Sequence, residues 1–447
     1  MESNHSSSPS WLLDLESQIQ HENAEFKSPV QPWIFRAPPS IRKGGDEEYE
    51  PRVVSLGPYH HGKQHLMAFE AHKWRALVHC ARRSKKDVNQ LVKIVEKEVS
   101  ALMTCYDNLD EKWSKIYSRF CEAYGEDGCF MLEIIRLAFI HKINRHEPIF
   151  SQPNKKNDYP SYDPVFSQHG LAYNMIDVQK DMMLLENQLP LLLLRLLFSV
   201  LDFSDDIRIW ESEATKFIYS NMGFKSVLRA SPASKDIFHH LDYVYRCMDV
   251  QFPPVLFRQK YNSSPTMRTT IELSNAGAEL QRSQDNIINF YKGTLTVPRT
   301  VVDDTTKRKL FNLIAYERLR CTGAVVNAYV IFMANLMKKP EDVTLLCAVG
   351  ILENNLGSPE QVVELYSAIS DGLVDSEGHL ESIHGMINEY CDTKWRRCRA
   401  YLKRTYFRSP WALFSLVYAL VLFLFTVAQT YYAIAAYYAP KEESHPK

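Results

Sequence analysis

The sequence predicts a mainly α protein: a multi-helical cytosolic domain with a small β-hairpin, followed by one C-terminal transmembrane helix. Three observations predict it. Most of the chain carries apolar residues at helical spacing. Strand signals are confined to one short stretch. One long run near the C-terminus, from Ser409 to Pro440, carries no charge.

The expected helices begin with Trp11 to Ala24, which follows Ser10, a favoured N-cap type. His65 to Arg83 places Leu66, Phe69, Lys73, Leu77 and Cys80 on one stripe, and Val88 to Met103 does the same with Leu91, Val95, Val99 and Leu102. Asp127 to His141 opens with Asp-Gly and is then nearly all apolar. Tyr173 to Leu201 is the most hydrophobic stretch ahead of the C-terminal run, but Glu186 and Arg195 interrupt it. Pro190 also breaks its hydrogen-bond ladder, so it reads as two core helices or one kinked helix. Glu186, Asn187 and Gln188 are placed to satisfy backbone groups freed at the kink. Further helices are expected at about 205–221, 235–248, 304–320, 324–337, 340–348, 359–370 and 379–403. The hairpin lies in Asn286 to Val297, where Lys292-Gly293 forms the turn and glycine supplies positive φ. Pro and Gly clusters mark loops at Pro29 to Gly45, Ser55 to Gly62, His146 to Gly170 and Phe252 to Pro265.

The C-terminal run predicts a membrane span. As a helix, Trp411 to Tyr438 is about 42 Å long, and a hydrocarbon core needs only about 30 Å. Trp411 sits at one boundary; Tyr431 and Tyr432 lie about 30 Å further along the axis, where amphipathic aromatics favour the second interface. Lys394, Arg396, Arg397, Arg399, Lys403, Arg404 and Arg408 form a collar of seven cations with no acid between them, and the four charged residues beyond the span cancel. Cations beside a span stay cytosolic, which places the large domain in the cytosol and faces the collar toward anionic membrane lipid. The formal charge of the chain is −1, so the residues ahead of the collar are net acidic. That balance argues against a nucleic-acid partner.

The expected division is a partly disordered N-terminal segment with a short helix (1–32), a helical domain ending in the collar (33–408), the transmembrane helix (409–438) and a short tail (439–447). No N-terminal secretory signal is expected, because Asp14 and Glu16 follow the first apolar residues at once. Nine cysteines without C-x-x-C spacing read as free thiols in a reducing compartment. Cys391 and Cys398 lie in this collar, seven apart, where acylation is an alternative. The sequons at Asn4 and Asn262 matter only in a luminal domain.

Motifs for chemistry fail on spacing. No phosphate-binding glycine loop and no G-x-S-x-G elbow occurs. His60 and His61 are adjacent on a turn with no further ligand nearby, so the expectation is imidazoles hydrogen-bonded to backbone. His65, His72 and His79 recur along one helix at intervals of about 10.5 Å, too far apart to share an ion at zinc distances. His239-His240 with Asp242 has the same weakness.

Short motifs recur in a recognisable order: Val53 to Gly62 (VVSLGPYHHG), Asp127 to Glu133 (DGCFMLE), Asp181 to Pro190 (DMMLLENQLP), Val302 to Thr306 with Asn312 to Glu317, Tyr329 to Met333, and a span after Tyr406 to Trp411. In this the chain resembles the plant domain-of-unknown-function 247 family over about residues 33 to 435. It departs at Tyr316-Glu317-Arg318, where members carry Phe-Glu-Gln, and around Ala276-Gly277-Ala278. The resemblance implies a plant membrane-associated protein with no catalytic residues to carry over. Some grass members are linked to pollen self-incompatibility, which implies a recognition role. The expectation is therefore a tail-anchored, non-enzymatic interaction or signalling module with an unidentified protein partner, no cofactor and no metal. The alternative is a membrane-tethered hydrolase assembled from distant His, Cys and acidic residues.

Overall fold

The computed structural model describes residues 32–42, 45–115, 117–146, 159–201, 237–248, 250, 252, 267–284, 287–321, 323–375, 378–392 and 410–438. The expected helices at Trp11 to Ala24 and 205–221, and the whole cationic collar from Lys394 to Arg408, lie outside these residues.

Helices α1 (Met67–Ser84), α2 (Val88–Lys97), α5 (Tyr117–His146) and α7 (Leu191–Val200) pack on one another. The single helix expected from Val88 to Met103 is two, α2 and α3 (Val99–Met103), because the backbone at Glu98 leaves helical geometry. A short α4 (Glu111–Lys115) precedes α5. The Asp-Gly pair expected to open a helix instead sits in the middle of α5. A Cβ on Gly128 would collide with Leu197 Cδ1. The glycine therefore lets α7 approach α5 rather than starting a helix.

The hydrophobic stretch after Tyr173 is two helices, α6 (Gln168–Met182) and α7, joined by a turn through Pro190. Ser167 caps α6 by accepting from Gly170 N at 3.0 Å.

The remaining described elements form the other side of one continuous apolar core. They are α8 (His240–Cys247), α9 (Thr270–Asn275), α10 (Thr306–Arg320), α11 (Val325–Leu336), α12 (Pro340–Val349), α13 (Pro359–Ser370) and α14 (His379–Asp392). Two small sheets lie among them. The expected hairpin is present as β2 (Asn289–Tyr291) and β3 (Thr294–Pro298), with Lys292 and Gly293 at φ 50° and 90° in the turn. Two parallel pairings go beyond the sequence expectation. β1 (Glu279–Ser283) joins β3 with Leu280 opposite Leu295, and β4 (Thr300–Val302) pairs β5 (Leu352–Asn354) with Val301 opposite Glu353. The last described helix is α15 (Pro410–Tyr438).

Histidine holds the start of α8. His239 Nδ1 accepts from Asp242 N at 3.2 Å, and Nε2 donates to Trp33 O at 3.0 Å. These two bonds use up a neutral ring and tie the helix to the strand-like segment at Trp33. Burial lowers the His239 pKa to about 4 and that of His240 to about 3. In the unfolded chain both titrate near 6.5. As pH falls from about 6.5 to 4, the unfolded chain binds protons that the folded chain refuses, so stability falls by roughly 3 kcal/mol per histidine. The denaturation midpoint should drop steeply across that window and the slope should become shallower in His240→Leu. A midpoint unchanged between pH 7 and 4.5 would contradict the neutral buried pair.

Candidate functional site

The turn between α6 and α7 brings a carboxylate and two carboxamides into the core: Glu186, Asn187 and Gln188 are all fully buried. A buried polar side chain must find partners, and each of these finds backbone. Gln188 Nε2 donates to the Met182 and Leu184 carbonyls, both at 2.7 Å, and Gln188 Oε1 accepts from Leu241 N at 3.0 Å. Asn187 Nδ2 donates to Asp181 O and Val54 O, and its Oδ1 accepts from Leu56 N at 2.6 Å. Leu185 N donates to Asn312 Oδ1 at 2.7 Å, which ties the turn to α10. The residues that relieve the Pro190 break thus also bind three distant segments.

Just ahead of the turn, Asp181 does the same for a stretch of chain that bends at Arg52 and Val53. Its carboxylate accepts from Arg52 N, Val53 N and Val54 N at 2.7 to 3.1 Å. Just past Leu56, Gly57 N reaches Asp127 Oδ2 at 2.8 Å. Asp127 in turn faces Lys73, whose ammonium lies 2.8 Å from Asp127 Oδ1, 2.7 Å from Glu70 and 2.9 Å from Ser55 Oγ. Burial opposes the Lys73 charge, but Asp127 and Glu70 outweigh it and hold its pKa above the usual range. The Lys73 ammonium thus has three oxygens around it and Asp127 Oδ2 a backbone donor, the kind of pairing that lets a buried ion pair be tolerated.

The histidine turn enters from the same side. His60 Nε2 lies 3.1 Å from Glu186 Oε2, and Glu186 Oε1 accepts from Ala37 N at 2.9 Å and pairs with Arg42. The expected backbone bonds of His60 and His61 are not made. His60 faces the glutamate, and His61 packs edge-on against Trp113. Burial lowers the pKa of both rings, so both pack in the neutral form. The other histidines also stay apart: His65 bonds Pro51 O, His72 meets Arg75, and His79 stacks on Tyr159. Among the described residues no group of three His, Cys, Asp or Glu could hold a metal. No disulfide joins the described cysteines.

The sequence marks two of these residues without assigning them. Lys73 is the one charge on an otherwise apolar stripe, and Asp127 heads an apolar run. Each is a charge where charge is costly, and each is the partner of the other.

At the far end of the chain, α15 is apolar on every face. Its segment Phe414–Ala435 is long and apolar enough to cross a membrane, and none of it is buried against the rest of the chain. The predicted boundary aromatics Trp411, Tyr431 and Tyr432 are all exposed.

The family described as "Plant protein of unknown function" matches residues 34–425. The chain belongs to the plant domain-of-unknown-function 247 family. Two relatives from Arabidopsis thaliana are similar along nearly their whole length. UPF0481 protein At3g47200 is 26% identical, covering 92% of this chain and 87% of its own. Putative UPF0481 protein At3g02645 is 20% identical, covering 94% of each. No solved structure matches.

In this member of the domain-of-unknown-function 247 family, the motifs that carry the resemblance meet. The SLGPYHHG, DGCF and LLENQLP segments share the hydrogen bonds above. Farther along, Asp303 Oδ1 accepts from Thr305 N at 2.9 Å at the start of α10. Glu317 accepts from Val326 N and Asn327 N, holding the start of α11. The motifs are the polar side chains that close backbone ends inside the core.

Lys73→Met strands the Asp127 charge and should cost about 3–5 kcal/mol of stability. Adding Asp127→Asn, which keeps an acceptor for Gly57 N, should recover part of that loss. Denaturant midpoints of the two variants check this. A double variant less stable than Lys73→Met would refute the pairing.

Proposed function

We propose that this protein is a membrane-anchored interaction module, with α15 crossing a bilayer and the helical domain presented to a protein partner on the cytosolic side. One observation supports the reading above all: the 22 residues of Phe414–Ala435 have no share buried in the chain. Exposed apolar surface costs about 25 cal/mol per Å² in water. Side chains such as Phe414, Phe423 and Phe425 stand roughly two-thirds exposed along this helix. A bilayer removes that cost, and a helix already satisfies its own backbone there.

The orientation rests on the seven collar cations, Lys394 to Arg408, which favour the cytosolic side. Each contributes about 1 kcal/mol or less at an anionic surface. Holding the domain at a surface raises its effective concentration toward partners held there. Recognition between cells, as in the pollen self-incompatibility linked to some grass members, is one form of this role; its support is family membership alone.

Deletion of residues 409–447 should move the protein from the membrane pellet to the soluble fraction. Retention in the pellet after a high-salt wash would contradict anchoring by this helix. In sealed right-side-out vesicles, added protease should spare the domain; its digestion would reverse the orientation.

A further inference from the structure

The C-terminal end of α6 and the first turn of α10 enclose a pocket of about 140 Å³, open to solvent and separate from the Lys73–Asp127 cluster. By that measure it has room for several waters or a small polar group. Five cations line it and two acids, Glu48 and Asp304. The cations come from three places in the sequence: Arg52 from the bend ahead of Val54, Lys180 from α6, and Lys307, Arg308 and Lys309 from α10. Met183 and Leu184, both buried, form an apolar wall.

Four of the five cations have acids at ion-pair distance, but only one contact is short. Lys307 pairs with Glu48 at 2.9 Å, whereas Lys180 lies 3.3 Å from Asp304 and 3.4 Å from Asp177, Arg308 3.5 Å from Asp181 and Lys309 3.6 Å from Asp303. An Arg308 terminal nitrogen also donates to Glu50 O. Asp181 is already engaged by three backbone N–H groups, and Asp303 by Thr305 and Thr306. Arg308 is 8% exposed and its Nε has no partner. The exposed Arg52 side chain makes no ion pair or hydrogen bond with a described residue. Burial lowers the Arg308 and Lys309 pKa values despite their acids, and Arg52 and Lys180 respectively push the same way. Positive charge is thus gathered from three directions beside the positive end of a 15-residue helix.

We propose that this pocket binds a phosphate group. A tetrahedral oxyanion presents acceptors on every side, which suits guanidinium and ammonium donors arriving from three elements; a planar carboxylate would meet only some of them. The exposed Arg52 guanidinium is the donor that the described chain leaves for it. Glu48 and Asp304 hold Lys307 and Lys180 at the rim. The phosphate belongs either to a soluble metabolite or to the headgroup of a lipid in the membrane that α15 would cross.

The test uses the full chain in phosphatidylcholine nanodiscs, titrated with pyrophosphate by calorimetry at low ionic strength, where screening is weak. Wild type should bind saturably. Arg52→Glu, which removes no contact within the fold, should weaken binding by about tenfold or more, as expected for a charged hydrogen bond, with the thermal midpoint unchanged. Lys307→Ala should weaken it as well. Competition then separates the sources: displacement by soluble inositol trisphosphate supports the pocket with a metabolite, and displacement by nanodiscs carrying phosphatidylinositol bisphosphate supports it with a lipid. Absent binding, equal binding by wild type and Arg52→Glu, or displacement by neither competitor would overturn the proposal.

Discussion

A backbone donor or acceptor taken out of water must be paired inside the protein, and leaving one unpaired costs about 1–3 kcal/mol. In this chain that constraint is concentrated at the turn from Asp181 to Pro190. Pro190 and the non-helical residues before it free several backbone groups, and Asn187 and Gln188 take them up. These side chains, with the Asp181 carboxylate, reach outward to Val53, Val54, Leu56 and Leu241. Segments far apart in sequence are therefore held by one buried turn. α10 joins the turn through Asn312, while α1 and α5 hold the neighbouring Ser55 and Gly57 through Lys73 and Asp127.

The opposite solution operates in α15. A continuous helix pairs its own backbone and needs no partner side chain. Its side chains are then free to be wholly apolar, and in this chain they are exposed. The helical domain buries its apolar surface against itself, whereas α15 has its apolar surface turned outward along its length. A bilayer is the solvent that suits the second arrangement, which is why the anchoring proposal and the organisation of the core rest on the same physics.

Long periodic elements are legible in the amino-acid sequence. α10, α11, α12 and α13 fall within two residues of their expected bounds; apolar spacing marks the first two, and Pro340 and Pro359 open the last two. The β2–β3 hairpin is legible from Lys292-Gly293. The parallel pairs are not: β4 and β5 have three residues each and lie far apart along the chain, so neither carries a period and no turn announces the pairing. Asp127-Gly128 reads as a helix start, since Asp caps helices and Gly bends chains, yet Gly128 is the contact point for Leu197. His60 reads as a backbone-bonded turn residue because its partner Glu186 is far away in sequence. The phosphate pocket is invisible for the same reason, its cations coming from three remote segments.

Hydrogen exchange on the intact protein in lipid nanodiscs tests the central role of the buried turn most directly. Residues 52–57 lie in neither helix nor strand, so their amides would normally exchange quickly. If their partners are Asp181, Asn187 and Asp127, the amides of Val53, Val54, Leu56 and Gly57 should be protected as strongly as the core of α5. Exchange of these amides at the rate of an exposed loop would contradict the account.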